Sequence, residues 1–359
     1  MDFTVFDLTQ PIKGQPHRNV YAHVFEQAAI AESGGMDAYY ITEHHFDPGY
    51  SATPSPNILV GALSQRTDRI RLGVMTTVLP YHHPLRVAEE IRVLDTLTNG
   101  RLDWGVGRGL KPIEFDAFCL SQARSREAFL EHMHILKRVW ADETFEFHGK
   151  HFHINKTSSL CPPVVQQPHP PIYVSAQSEE SLRWAAENDA VFCQIDALIE
   201  EARRDQEFYR SIQIARGMTP RPRLVITREV YVASTMEQAR AEVQPWLLRY
   251  WQLWERYAQL THQGRMPQEY QKWRDRAPML AAMSFEELNE RGLIMVGTPE
   301  HVAERVIEHM NELDLAAIAC VFKFGGMPYD MVLKSMRRFS SAAMPRIRAA
   351  MKPTSRGAA

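Results

Sequence analysis

Cysteine is scarce: four in 359 residues, at Cys119, Cys161, Cys193 and Cys320. They lie far apart and form no Cys-x-x-Cys pair, which argues against a zinc knot and against a disulfide framework. Such usage suits a reducing cytoplasm. An excess of one charge is also missing, with 41 Lys plus Arg against 43 Asp plus Glu and a formal net charge of -2. Nucleic-acid binders carry a basic excess or a basic block, so nucleic acid is not an expected partner. No apolar run is long enough to span a bilayer. The opening Met1-Asp2-Phe3-Thr4 lacks the basic and apolar stretches of a signal peptide. A membrane is therefore not an expected partner either. No internal repeat is seen in the roughly 20–50-residue range. What remains is ordinary globular composition, 45% apolar and 23% charged, enough for a sizeable core.

Short β-rich runs alternate with helical patterns. Strands are predicted at 3–8, 38–42, 70–78, 102–106, 171–176, 190–195, 224–232 and 317–324. Most are near-continuous apolar runs, the pattern of strands buried on both faces in a parallel sheet. Between them, Val20, Val24, Ala28 and Ala31 share one helical face, as do Val87, Ile91 and Leu94, and Leu182, Ala185 and Ala186. Thr298-Pro299 opens a helix with an N-cap hydroxyl and proline at the first position. Val302, Val306, Met310 and Leu313 supply its buried stripe.

Eight strands with intervening helices point to an α/β fold, a (β/α)8 TIM-type barrel, with a doubly wound sheet as the rival. Such a barrel needs about 250 residues, so the surplus falls in insertions at 110–170, after strand four, and 234–297, before strand eight. The first holds a helix near 125–140 and a hairpin expected to turn at His148-Gly149-Lys150. The barrel is expected to occupy 1–345 as a single domain. The remainder, 346–359, is polar and small, and is expected to fray.

Functional groups of a barrel sit where its strands end. After strand two comes Thr42-Glu43-His44-His45-Phe46. An imidazole there can move a proton near neutral pH, and a neighbouring carboxylate can fix its tautomer or raise its pKa. A hydrogen-bonded histidine pair with no chemistry is the alternative. The His-Glu-x-x-His zinc spacing is absent. His148, His151 and His153 have no acidic or thiol partner close in sequence, and alternation would put His151 and His153 on one face. No metal is expected.

After strand three, Met75-Thr76-Thr77 offers hydroxyls to a flat ligand, although β-propensity alone explains threonine there. After strand four comes Gly105-Val106-Gly107-Arg108-Gly109. Its glycines allow close backbone approach and Arg108 presents a fork for phosphate. Leu110 breaks the dinucleotide-binding pattern. After strand five, Gln177-Ser178-Glu179-Glu180-Ser181 opens a helix, where hydroxyls and free N–H groups make an anion site or a simple N-cap. Trp246, Tyr250, Trp251, Trp254, Tyr257, Tyr270 and Trp273 crowd the second insertion. They could line an apolar substrate pocket or a mobile cover, or pack a helical hairpin onto the barrel.

Taken in order, Glu43-His44-His45-Phe46, Val78-Leu79-Pro80, His83-Pro84-Leu85-Arg86, Gly100-Arg101-Leu102, Gly105-Val106-Gly107-Arg108-Gly109, Pro171-Ile172-Tyr173-Val174, Ser178-Glu179-Glu180-Ser181 and Val296-Gly297-Thr298-Pro299-Glu300 resemble the bacterial luciferase-like flavin monooxygenases. The resemblance runs from about Phe3 to Pro345. It implies a barrel that takes reduced FMN at its strand ends, with a separate flavin reductase supplying it. It implies O2 as co-substrate, a C4a-hydroperoxyflavin, a small organic substrate and a homodimer. The family's catalytic histidine falls on His44, with Glu43 and His45 beside it. Its phosphate-binding arginine falls on Arg108 and its phosphate hydroxyls on Ser178 and Ser181, with Gln177 adjacent. A non-proline cis peptide under the flavin ring maps to Met75-Thr76. The second insertion has little similarity to the family, and a substrate wall of Trp246, Tyr250, Trp251 and Trp254 is expected there from the aromatic cluster alone.

Two positions depart from the luciferase α-subunit. Gly107 stands where it has a reactive cysteine, and Gln177 where it has a glutamate. The first argues against light emission with a long-chain aldehyde. Three rival readings stand beside the monooxygenase. One is hydride transfer with the deazaflavin F420, another a non-catalytic flavin-binding relative. The third is a barrel hydrolase using two carboxylates, such as Glu43 and Glu229.

Overall fold

The computed structural model describes residues 1–141, 144–157, 160–260 and 271–351; of 254, 255, 257–260, 271–275 and 277 only the backbone is described. Eleven strands are found among them: β1 (Asp2–Asp7), β2 (Ala38–Ile41), β3 (Arg71–Val78), β4 (Leu102–Gly107), β5 (Phe145–His148), β6 (His153–Thr157), β7 (Ile172–Ser175), β8 (Val191–Gln194), β9 (Leu224–Val232), β10 (Ile294–Gly297) and β11 (Leu315–Val321). The helices are α1 (His17–Ser33), α2 (Pro56–Ser64), α3 (Pro84–Leu97), α4 (Pro112–Ala117), α5 (Ser125–Ala141), α6 (Glu179–Glu187) and α7 (Ile199–Ala215). They continue as α8 (Met236–Leu260), α9 (Gln271–Ala282), α10 (Phe285–Glu290), α11 (Pro299–Glu312), α12 (Tyr329–Arg338) and α13 (Met344–Ala350).

The strands β1, β2, β3, β4, β7, β8, β9 and β11 pair in parallel, each with the next. β9 closes the ring by pairing with both β8 and β11. This is the eight-stranded parallel barrel expected from the apolar runs. Both faces of each strand are covered, and the core is continuous from Phe3 and Tyr39 through Trp104, Phe192 and Ile226 to Phe322. The helical stripes also pack inward: Val20, Val24, Ala28 and Ala31 of α1 are buried, as are Val302 and Val306 of α11.

Four local expectations are corrected. β10 is an additional strand. It takes over the edge of β9 that β8 leaves, with Ile294 beside Glu229 and Gly297 beside Val232. The hairpin of the first insertion turns over 149–152 rather than at 148–150, because His148 pairs with His153. His151 thus lies in the turn, not on a strand face with His153, and its ring meets Glu127 at 3.2 Å. The segment after Pro345 does not fray at once: α13 continues to Ala350 because Ile347 is fully buried and the Arg348 guanidinium donates to the Gly35 carbonyl at 2.7 Å. Residues 352–359 lie outside the described ones.

Candidate functional site

Alternation along parallel strands sends every second side chain into the barrel. At the strand C-termini those side chains surround one cavity: Phe6 of β1 and Leu8 just after it, Tyr40 of β2 with Thr42 and His44 after it, Met75, Thr76 and Val78 of β3, and Gly107 of β4 with Gly109 after it. The circuit continues with Ser175 and Gln177, Cys193 and Ile195, Val225, Thr227 and Glu229, then Ala319 and Val321. Arg108, Ser178 and Ser181 complete the wall on the β4–β7 side. Segments far apart in sequence, 42–44, 75–76, 108 and 177–181, are therefore brought together.

His44 and His45 part company. The His44 ring lies in the wall, edge-on to Tyr50 at 4.9 Å between centroids. Burial first, then Lys111 and His45, hold its pKa well below the ordinary value. His45 does not line the cavity. Its amide donates to Glu114 Oε1 at 2.9 Å, its Nε2 lies 3.0 Å from Glu43 Oε1, and its ring packs against Phe118. Glu43 likewise serves other partners than His44. Oε1 also meets His82 Nε2 at 2.7 Å, and Oε2 accepts from the Val78 amide at 2.9 Å. Burial pushes the Glu43 carboxyl up, but hydrogen bonds from His45, His82 and Val78 outweigh it, and the net shift is downward. The Glu43 bond keeps the His82 pKa above its ordinary value despite burial. The imidazoles that Glu43 bonds are thus His45 and His82.

Three further residues were not anticipated. Lys111, fully buried, places Nζ 4.8 Å from the Tyr50 ring centre, 3.8 Å from Asp47 and 4.0 Å from Glu114. Glu114 lines the cavity and accepts from the Tyr81 hydroxyl at 3.1 Å. Burial lowers the lysine pKa and raises that of the glutamate. Tyr50 faces the same cavity. A lysine directly after the glycine-rich strand end was the one sequence signal available.

On the opposite flank, Ser178 caps α6. Its hydroxyl accepts from the Ser181 amide at 3.3 Å, and the Ser181 hydroxyl accepts from the Ser178 amide at 3.1 Å. Capping and a place in the cavity wall are both observed, so the two uses of these serines do not exclude each other. Glu180 turns outward to Arg126. The Gln177 Nε2 is buried without a hydrogen-bond partner among the described residues, as are Thr42 Oγ1 and Thr227 Oγ1. The Met75–Thr76 peptide is cis. Gly107 is required by close packing: a Cβ there would lie 2.4 Å from Thr76 Oγ1. Gly109 adopts φ +83°, the left-handed region that favours glycine.

Of the aromatic insertion, Tyr250 reaches the cavity. Trp251 is buried in the core and Trp246 is packed against it, so neither lines the cavity. α8 and α9 pack together as a helical pair. The side chains of Trp254, Tyr257, Tyr270 and Trp273 lie outside the described residues.

A family profile described as luciferase-like monooxygenase matches residues 1–315. The chain belongs to the luciferase-like monooxygenase family. It is 29% identical over 248 residues to the oxygenase component of the flavin-dependent trigonelline monooxygenase of Acinetobacter baylyi, covering 67% of each chain. Its fold matches the oxygenating constituent of the 3,6-diketocamphane monooxygenase from the CAM plasmid of Pseudomonas putida, solved with FMN. There the TM-score is 0.81 at 22% identity, over 97% of this chain and 98% of that one. An F420-dependent secondary alcohol dehydrogenase matches with a TM-score of 0.72 at 16% identity, over 97% and 99%. At these identities the structural matches speak for the fold. This family member is accordingly a monooxygenase-type oxidoreductase on a TIM barrel.

The cavity suits a flavin mononucleotide on its own chemistry. One flank offers a guanidinium, two hydroxyls and a helix N-terminus for a phosphate. Near it lies an unpartnered amide donor for a heterocycle edge. No described helix is long and apolar enough to cross a membrane.

Proposed function

We propose that the protein is the oxygenase of a two-component system, using reduced FMN from a separate flavin reductase, and O2, to oxygenate a small organic substrate. The observation that carries this reading is the shared cavity of His44, Arg108, Ser178 and Ser181. Arg108 and the α6 N-terminus would hold the phosphate, with Gln177 and the Met75–Thr76 segment along the ring. Reduced FMN, when bound, supplies the electrons that activate oxygen. The apolar wall of Phe6, Leu8, Val225, Ala319 and Val321 excludes water from that chemistry. His44, neutral at physiological pH, accepts or returns a proton at a ring nitrogen.

The fold likeness to an F420-dependent enzyme supports hydride transfer with a deazaflavin as the alternative. A flavin-binding relative without turnover is the other. One experiment separates the oxygenase from both. Reduced FMN and the protein are mixed with air-saturated buffer in a stopped-flow spectrometer, and reoxidation is followed. The oxygenase delays reoxidation well beyond that of free reduced FMN and consumes O2. Reoxidation at the free-flavin rate sinks the proposal.

A further inference from the structure

Glu229 was singled out by the sequence, and the flavin reading leaves it without a role. It stands on β9, directly across the ring from β3, at the point where β9 exchanges β8 for β10 as neighbour. A flat ligand resting against Met75–Thr76 and Arg108 leaves this far wall for a second molecule. The wall is otherwise mostly apolar, formed by Ile195, Val225, Ala319 and Val321 with Tyr250 above. Glu229 is 1% exposed, and its Oε2 has no hydrogen-bond partner among the described residues. The Tyr250 hydroxyl engages the same carboxyl.

Counting charges decides its state. Arg276 is paired with Glu201. Arg228 is fully buried, and its guanidinium donates to the carbonyls of Thr227 and Ala197 at 2.8 and 2.7 Å and to His309 Nε2 at 3.2 Å. Its positive charge faces Asp196, which is 2% exposed and has no hydrogen bond to either oxygen. With Arg276 held by Glu201, the two buried acids Asp196 and Glu229 share the single Arg228 charge, which acts more on Asp196 than on Glu229, so the pair carries one negative charge too many. A buried carboxylate without a counter-charge costs several kcal/mol, and such a group takes up a proton instead. Burial, then Asp196, push the Glu229 pKa well above its ordinary value. A neutral carboxylic acid has one O–H to donate.

We propose that Glu229 is a specificity-determining residue, a neutral carboxylic acid whose O–H donates to a hydrogen-bond acceptor, a carbonyl oxygen, on the organic substrate. The assignment of that ligand as substrate rests on the oxygenase reading; the acid and its preference do not. Without the ligand the donor is unsatisfied. With an ammonium in place of a carbonyl, donor would meet donor.

The test uses the full chain without flavin, so it stands apart from the oxygenase reading. Three probes of similar shape are compared by calorimetry at pH 7.5: cyclohexanone, methylenecyclohexane and cyclohexylammonium. Cyclohexanone is expected to bind tightest. Glu229→Met should weaken it about five- to tenfold, the loss of one neutral hydrogen bond, and leave methylenecyclohexane unchanged. Infrared spectroscopy gives a second readout. A protonated-carboxyl C=O band should be present in the wild type, shift on addition of cyclohexanone and vanish in Glu229→Gln. Asp196→Asn removes one negative charge, so Glu229 should ionise there. The band is then lost without touching Glu229, and the preference moves to cyclohexylammonium. A wild type that lacks the band, or that prefers the ammonium probe, overturns the proposal.

Discussion

The His44 imidazole is kept neutral by burial first, with Lys111 and His45 adding to the effect. It can therefore take up a proton at physiological pH without first losing one. His44→Ala should bind FMN as the parent does and lose oxygenation by about 10²- to 10⁴-fold, the range for removing a general acid–base group. Unchanged turnover at saturating reduced FMN would remove His44 from the chemistry. Glu43 makes a contrasting case. Its two oxygens serve His45, His82 and the Val78 amide. Glu43→Gln should then lower stability by about 1–3 kcal/mol in urea unfolding, while the NMR titration of His44 stays in place; a shifted titration with intact stability would assign Glu43 a tuning role instead. Arg108→Ala should weaken FMN by about 2–3 kcal/mol, the value of a charge-assisted hydrogen bond. The same variant should bind riboflavin as the parent does, which calorimetry with both ligands checks. The sequence made His44, Arg108, Ser178 and Ser181 legible because each follows directly on an apolar strand. His82 and Glu114 were not legible. They bond partners 39 and 69 residues away, Glu43 and the His45 amide, and no local pattern encodes such distances.

Among the elements, α11 and β9 are tied by a buried histidine. His309 Nδ1 lies 2.8 Å from the Arg305 carbonyl, and Nε2 lies 3.1 Å from the Gly292 carbonyl and 3.2 Å from Arg228 Nε. Burial, then Arg228, push the His309 pKa down to about 3. In the unfolded chain an ordinary histidine titrates near about 6.5. Between these values the unfolded state binds the extra proton, so stability rises with pH there. The contribution is complete above the unfolded value and is lost as pH falls towards 3, at up to about 1.4 kcal/mol per pH unit. Urea midpoints between pH 7 and 4 should show this slope, and His309→Gln should flatten it; an identical slope in the variant would place the proton uptake elsewhere. The eight barrel strands and the α11 stripe were readable because burial on two faces, or on one, leaves a near-continuous apolar run or a repeating stripe, even in strands of four residues such as β2, β7 and β8. β10 was not, since four apolar residues ahead of Thr298-Pro299 look the same as a helix lead-in. The aromatic insertion misled for a related reason. Periodicity marks Trp246, Tyr250 and Trp251 as apolar, but only the packing of α8 decides that Tyr250 faces the cavity and Trp251 the core.

For the whole molecule, the family resemblance led to a homodimer through barrel helices, and one face has the character such a contact needs. α2 and α3 enclose a groove lined by Pro56, Ile58, Val93, Leu94 and Leu97, with Arg86, Glu89 and Glu90 along its rim. Ile58 is 73% exposed, and Val93 and Leu97 are each 43% exposed. An exposed apolar strip rimmed by charge is the composition of an interface core. A twofold axis would set the same strip of each copy against the other, as an isologous contact requires. The charged rim is already internally arranged, with Arg86 on Glu89 at 2.8 Å and Asn57 on Glu90 at 2.8 Å, so a second copy need not neutralise it. Light scattering at micromolar concentration should give twice the chain mass for the parent and the single mass for Ile58→Asp, with the circular dichroism of both alike. Because Glu43 and His82 line the same groove, docking would also cover the outer side of their hydrogen bond. The His82 ring should then titrate differently in dimer and monomer, which histidine NMR of the two species reads directly. A parent that is monomeric under these conditions removes both expectations together.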